Sequence, residues 1–280
     1  MIVLNINPIA FSIGKIDIKW YGLAYVAGFL ICQYINQKII RSNFVCVEKD
    51  KFLNFFKNFD SVLLLSILVG GRLGYFLFYL RNYSYNIVDI LKIYEGGMSF
   101  YGAIIAVIVS TIYYSFIKKV PYLTILDLIA IVSPIGIFLG RLANFINQEL
   151  YGKVIHNTKL PWATIFPKVD FLPRHPTQLY EAILEGIVLF VLMIICCFYF
   201  KALRKKGLIT GIFTIFYSIF RIISEFFRED IYGPVICLGS QFSIGHILSL
   251  IAIIFCILCY AYKLFLYKFF NSTHIGPISK

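Results

Sequence analysis

Long apolar runs alternate with short charged segments along most of this chain. Seven runs stand out, at 20–35, 61–80, 98–117, 122–145, 179–200, 208–227 and 242–262. A helix that crosses a bilayer needs about 20 mostly apolar residues, so the spacing predicts seven transmembrane helices. The first run is short at its polar edges and is expected to begin a few residues before Trp20. It continues as a span rather than ending at a small-residue cleavage site, so no cleavable signal peptide is expected. No repeat of fixed period and no low-complexity stretch interrupts the pattern. The connection 144–178 is the one long loop between spans. Its four prolines (Pro161, Pro167, Pro173, Pro176) and Trp162 predict an ordered cap rather than a floppy tether.

Composition agrees with this reading. Of 280 residues, 60% are hydrophobic and 14% charged, with a mean hydropathy of +0.81. Soluble domains hold about 45–50% apolar and about 25% charged residues, so a soluble enzyme, a secreted disulfide scaffold and a disordered chain are excluded. The expected fold is an all-α polytopic membrane protein, one integral membrane domain over residues 1–280, with 144–178 forming a small extracytoplasmic head. The net charge of +12 reads as topological anchoring rather than nucleic-acid binding. One set of connecting segments carries fourteen Lys and Arg, the opposite set nine, and the richer segments are shorter. The N-terminus is therefore expected outside and the C-terminus in the cytoplasm. Most of the seven cysteines lie in apolar runs, and Cys256-x-x-Cys259 has no thioredoxin-like surroundings; a buried structural role is expected for them.

Ionisable residues inside spans are the chemically informative ones, because a charge at mid-bilayer costs several kcal/mol unless it faces the bundle interior or a wet cavity. Arg72, Asp127, Arg141, Glu185, Arg221 and Glu225 qualify. Structural ion pairs such as Arg72 with Asp127, or Arg221 with Glu225, compete with a functional role. Arg141 and Asn144 share a helix face at i, i+3, as do Tyr217 and Arg221 at i, i+4. Guanidinium forks near a membrane interface suit phosphate oxygens, so these residues point to a site for an anionic lipid head group. Gly70-Gly71-Arg72-Leu73-Gly74 reads as a close helix approach. The stretch from Glu95 to Gly102 places glycines at a loop-to-helix junction, where backbone N–H groups can meet an anion. No His/Cys/carboxylate cluster has ligand spacing, so neither metal nor cofactor is expected.

The run Gly140 through Gly152, GRLANFINQELYG, resembles the signature of the bacterial prolipoprotein diacylglyceryl transferase family. Further blocks resemble that family in the same order: Trp20-Tyr21-Gly22-Leu23, Gly71 through Tyr75, Glu95 through Gly102, Arg174 through Glu181, and Phe220 through Arg228. The resemblance covers roughly residues 20 to 230. It implies a seven-helix inner-membrane enzyme with an extracytoplasmic head. Such an enzyme moves the diacylglyceryl group of phosphatidylglycerol onto the lipobox cysteine of a prolipoprotein, forming a thioether and releasing glycerol phosphate. By the same resemblance Arg141 is the phosphatidylglycerol-binding arginine and Arg221 a second essential arginine. Tyr21, Gly102, Asn144, Glu149, Gly152, Tyr217 and Glu225 fall at positions that matter in the family.

One position departs from the pattern. Tyr101 stands where the family usually carries a histidine for which a catalytic-base role has been proposed. A thiol with a pKa near 8.5 is only a few per cent thiolate at pH 7, and tyrosine is a poor base unless cations lower its pKa. Tyr101 as tyrosinate, Tyr101 as a donor to lipid, and catalysis by the arginines alone are all open readings. His175 is a further candidate base, against a simpler role in capping the turn before the fifth span. Glu149 and Glu225 are expected to position the arginines. The competing class is a lipid or small-anion transporter using the same arginines without covalent chemistry, although no inverted repeat is visible. An intramembrane protease would want a constellation that Asp127 and His246 do not form.

Overall fold

A computed structural model describes residues 1–14, 16–42, 49–79, 97–156, 160–229, 235–237 and 240–273. Glu95 and Gly96 of the glycine junction, the end of the second apolar run and residues 157–159 of the head lie outside the described residues. Each apolar run is helical: α1 (Trp20–Arg41), α2 (Lys49–Tyr79), α3 (Phe100–Lys118) and α4 (Tyr122–Asn147). The fifth run comprises α5 (Thr177–Glu181), a π-helical segment (Ala182–Val188) and α6 (Leu189–Phe198); α7 (Leu208–Glu225) and α8 (Ile244–Thr273) complete the set. Among the described residues six stretches are long and apolar enough to cross a membrane: Lys49–Leu77, Tyr101–Lys118, Tyr122–Asn147, Thr177–Phe198, Leu208–Glu225 and Gly245–Lys263. Helix α1 is not among them, because Gln33, Asn36, Gln37 and Lys38 make its second half polar. Its start also corrects the sequence expectation. It begins at Trp20, directly after a strand, and gains its length at the other end.

The chain divides into two compact units. One comprises Met1–Cys32, Val132–Ile195 and Gly211–Lys280, the other Gln33–Ile131 and Cys196–Thr210. In the second unit α2 and α3 cross at small residues. A Cβ added to Gly74 would lie 2.6 Å from the Cα of Gly102, so the two backbones meet directly. Deeper along α2, Phe52, Phe55, Phe56 and Phe59 are buried, and Phe59 stacks on Tyr114 of α3 at 5.3 Å. These aromatics explain why α2 starts well before its apolar run. Asp127 is fully buried and accepts from the N–H groups of Gly207 and Thr210 and from the Thr210 hydroxyl at 2.7–2.8 Å. Those N–H groups open α7, where a carboxylate satisfies orphan donors and complements the helix dipole. Asp127 thus has a structural part. Arg72 donates to the carbonyl of Gly97 at 3.1 Å and lies over the Phe76 ring at 4.9 Å.

The first unit adds short strands to its helices. β1 (Ile2–Val3) pairs in parallel with β4 (Thr164–Ile165), which pairs antiparallel with β5 (Pro173–Arg174). Two antiparallel hairpins, β2 (Ile9–Ile13) with β3 (Ile16–Lys19) and β6 (Val235–Cys237) with β7 (Ser240–Phe242), flank the membrane helices in sequence. The 144–178 segment is ordered where described, but it does not stand alone, since the N-terminal strand completes its sheet. Gln148, buried and at φ +63°, donates to the carbonyl of Leu4 and accepts from the N–H of Lys168. One side chain therefore ties the end of α4 to both the N-terminus and the head. The cysteine expectation holds only in part: Cys197 is buried, Cys256 donates to the carbonyl of Gly211 at 3.6 Å, and Cys259 is exposed.

Candidate active site

A fully buried pair of carboxylates, Glu181 and Glu185, organises the first unit. They stand four residues apart where α5 passes into the π segment, whose widened turn ends with Leu189 N–H bonded to the Leu184 carbonyl. Such segments are rare and recur at functional sites. Gly186 makes the approach of α4 possible, because a Cβ there would lie 2.7 Å from the Cβ of Phe138. Phe138 and Arg141 share a face of α4 at i, i+3, so the close approach delivers the guanidinium to the glutamates. Arg141 Nε lies 3.0 Å from Glu181 Oε2, and its Nη2 lies 3.2 Å from Glu185 Oε2.

Helix α7 brings the second arginine. Arg221 Nη1 pairs with Glu181 Oε1 and stands 3.7 Å from Glu185 Oε1, while Nη2 reaches Glu225 Oε2 at 2.6 Å. The Arg221–Glu225 pair considered from sequence is thus formed. Arg228 adds a third cation, its Nη1 3.3 Å from Glu181 Oε1. Glu225 is further seated against the first turn of α8, where Gly245 leaves it room: a Cβ on that glycine would lie 2.6 Å from the carboxyl carbon. The helix N-terminus is a favourable place for that charge. Both buried glutamates have no side-chain exposure, whereas Arg141 and Arg221 retain 15% and 10%. The arginines are thus the less buried members of the cluster.

The remaining sequence candidates are spread over several elements. Asn144 is buried one turn beyond Arg141 and donates to Glu149 Oε2 at 3.3 Å, and Asn147 donates to Oε1 at 3.4 Å. Glu149 is therefore held by two amides, whereas Glu181 and Glu185 are the carboxylates paired with Arg141. Tyr217 stands one turn before Arg221, stacked parallel on Phe213 at 5.8 Å, and interacts electrostatically with both arginines. Tyr21 shares a hydrogen bond of 3.1 Å with Tyr25, which in turn senses Arg141. Tyr101 and Gly102 belong to the other unit. They sit in the first turn of α3, capped by Ser99, whose hydroxyl accepts from the Gly102 N–H at 3.3 Å.

Gly152 has a backbone reason for being glycine. It bridges to Arg228, its N–H donates to the His175 carbonyl at 3.0 Å, and an added Cβ would lie 2.7 Å from both the His175 Cβ and the Phe227 carbonyl oxygen. This crossing fixes the backbone at Arg228. His175 closes the turn before α5, its carbonyl also accepting from the N–H of Thr177. Its Nδ1 pairs with the Tyr180 hydroxyl at 3.1 Å, and Trp162 Nε1 donates to that same hydroxyl at 2.9 Å. Burial first, and Lys153 second, push the His175 pKa down, favouring the neutral ring. The N-cap of α5 is Pro176, without a side-chain cap, so His175 bounds this turn through its backbone only.

Sequence reasoning misses the parts played by Glu181, Arg228, Gly186 and Gly245. A signal exists for the first: two glutamates at i, i+4 in an otherwise apolar run imply a buried cationic partner. Nothing local marks the two glycines, whose meaning depends on which side chain lies opposite.

Helices able to cross a membrane, carrying a buried cluster of three arginines and three glutamates, define an integral membrane protein. Sequence comparison narrows the class. The family profile described as prolipoprotein diacylglyceryl transferase matches residues 8–262, and the chain belongs to that family. It is 46% identical over 253 residues to the phosphatidylglycerol–prolipoprotein diacylglyceryl transferase of Rickettsia typhi, covering 89% of this chain and 93% of the relative. Identity to the protein of the same name from Rickettsia felis is 45% over 249 residues, with 88% and 92% covered. For that of Rickettsia canadensis it is 44% over 254 residues, with 89% and 94% covered. The chain is accordingly a multi-pass membrane transferase.

Proposed function

We propose that the protein transfers the diacylglyceryl group of phosphatidylglycerol to the lipobox cysteine of prolipoproteins, with Arg141 and Arg221 holding the phosphate. The relatives' names supply the substrates. The pairing of two guanidinium groups with buried carboxylates is the observation that carries the site assignment. Asn144 and Tyr217 lie one turn from the two arginines and serve as neutral donors that orient the phosphodiester. The cysteine sulfur attacks the glyceryl carbon that bears the phosphate, and the carbon–oxygen bond breaks as the sulfur–carbon bond forms. The electron pair leaves on the phosphate oxygen, the thiol proton passes to the departing phosphate or to water, and glycerol phosphate departs. Charge that builds on that oxygen is stabilised by guanidinium groups already in place, and such preorganised stabilisation is commonly what lowers a barrier most. Glu225 positions Arg221, Glu149 positions Asn144, and Gly152 holds the backbone at Arg228. Tyr101 acts as a donor or spectator rather than a base. The protein works in a bacterial inner membrane with its site toward the extracytoplasmic face and the head over it, among membrane lipids and without a cofactor.

The test is direct. Purified protein is incubated with phosphatidylglycerol and a lipobox peptide, and mass spectrometry reads the diacylglyceryl mass on cysteine. Product from the wild type and none from Arg141→Ala is expected. Product formed by Arg141→Ala at the wild-type rate would overturn the assignment, and lipid flux without covalent product would favour the transporter.

A further inference from the structure

From the charge balance of the cluster we infer that an anionic phosphate ester binds together with a proton, taken up by Glu185. This deepens the reading of Arg141 and Arg221 as the phosphate site and rests on it. Among the described residues three guanidinium groups (Arg141, Arg221, Arg228) face three carboxylates (Glu181, Glu185, Glu225). By itself the cluster is therefore neutral. A phosphodiester brings one negative charge, and an uncompensated charge in a water-poor interior is strongly disfavoured. A phosphate that takes the Nε or Nη2 N–H groups of Arg141 takes them from the carboxylates they now serve.

The carboxylates are unequal in what they would lose. Glu181 contacts all three arginines, and Glu225 keeps both its close pair with Arg221 and its seat at the first turn of α8. Glu185 has a single close ion pair, through its Oε2 to Arg141; its Oε1 is buried without a hydrogen-bond partner and lies 3.7 Å from Arg221. If Arg141 turns its Nη2 to a phosphate, Glu185 is the carboxylate left unserved. The charged and titratable groups around it are Glu181 on its own helix segment, Arg141 on α4, and Tyr217, Arg221, Glu225 and Arg228 on α7 and its extension. Tyr25 interacts electrostatically with both Arg141 and Glu149. No lysine or histidine is among these described groups, so the added negative charge is met by a proton.

The experiment measures binding without chemistry. Protein in an uncharged detergent is titrated with short-chain phosphatidylglycerol, and in a second arm with soluble glycerophosphoglycerol, the same diester without its acyl chains. Calorimetry in two buffers of different ionisation enthalpy counts the protons exchanged. About one proton taken up per lipid is expected, with affinity falling by up to about tenfold per pH unit toward alkaline pH. Glu185→Gln carries its proton equivalent permanently and is expected to bind with no uptake and a flat pH profile. Uptake in the lipid arm alone supports a site that needs the glyceride; uptake in both arms supports one that reads the phosphate. Lipid binding by the wild type with no proton exchanged in either arm overturns the inference without recourse to any variant. Arg141→Gln separates the two readings. If it binds lipid as the wild type does, the phosphate site itself is wrong; if it loses lipid while the wild type takes up no proton, only the proton linkage fails.

Discussion

Arg174 in the head and Arg221 in the helical cluster are both multiply paired, yet they are built for different tasks. Arg174 spends its donors locally. It gives Nε and Nη2 to Asp170, Nη1 to the Gly152 carbonyl and to Glu229, and lays its guanidinium over the Tyr151 ring at 4.8 Å. Its partners include a backbone carbonyl and carboxylates that water also reaches. Arg221 forms its ion pairs with three carboxylates, two of them fully buried. The first arrangement is a clamp whose parts would survive separation in water. The second is a store of charge in which one anion can be exchanged for another, because breaking a buried pair leaves a charge that must find a new partner.

The contrast can be broken at its strongest point first. Arg141→Gln should lower diacylglyceryl transfer in the folded fraction by at least about a hundredfold, as removal of one preorganised stabilising donor does elsewhere. It should also lower the melting temperature, because Glu185 loses its one close ion pair. Arg174→Gln should lower the melting temperature with a smaller effect on the rate of the folded fraction. Activity and melting curves on both variants decide it. Gly152→Ala comes next. The added methyl has no space beside His175 and Phe227, and overpacking of this kind costs roughly 1–3 kcal/mol. It should appear as a lowered melting temperature together with reduced transfer, because the displaced backbone carries Arg228.

A smaller effect concerns acid. The Arg174 hydrogen bonds hold the Asp170 carboxyl below its ordinary range. A depressed carboxyl contributes stability that is complete above its unfolded value, about 3.9, and is lost as pH falls through the folded value. Trp162 fluorescence should report loosening of the head at low pH, and Asp170→Asn should lower stability near neutrality while flattening that acid limb. The smallest change is expected from Tyr101→Phe, which should keep transfer near the wild-type rate. A collapse of the rate there would make the phenol a participant in the chemistry.

Much of the helical layout is legible in the sequence because about 20 apolar residues in a row have few alternatives to spanning a bilayer. Arg141 and Arg221 are legible because a charge in such a run demands a reason. Their partners are not. Glu181 lies forty residues from both of them in sequence, and its pairing exists only once α4, α5 and α7 converge. The strand from the N-terminus to the head goes unseen because two-residue strands carry no periodicity. Helix α1 reads as ending at Ile35 for the opposite reason, since Gln37 and Lys38 look like a loop until Ile39 and Ile40 are seen buried. Glu149 reads from the motif as a partner of the arginines, yet its oxygens accept from Asn144 and Asn147.

The frame around Tyr101 has a consequence for how this family can vary. The Ser99 N–H is held by the Gly71 carbonyl at 2.8 Å, the Ser99 hydroxyl caps the turn, and Gly102 is wedged against Gly74. These fixed points belong to neighbours of residue 101. The side chain at 101 can therefore change without removing any of these backbone bonds, so the turn is a fixed mount and the chemistry at that position can be altered separately from it.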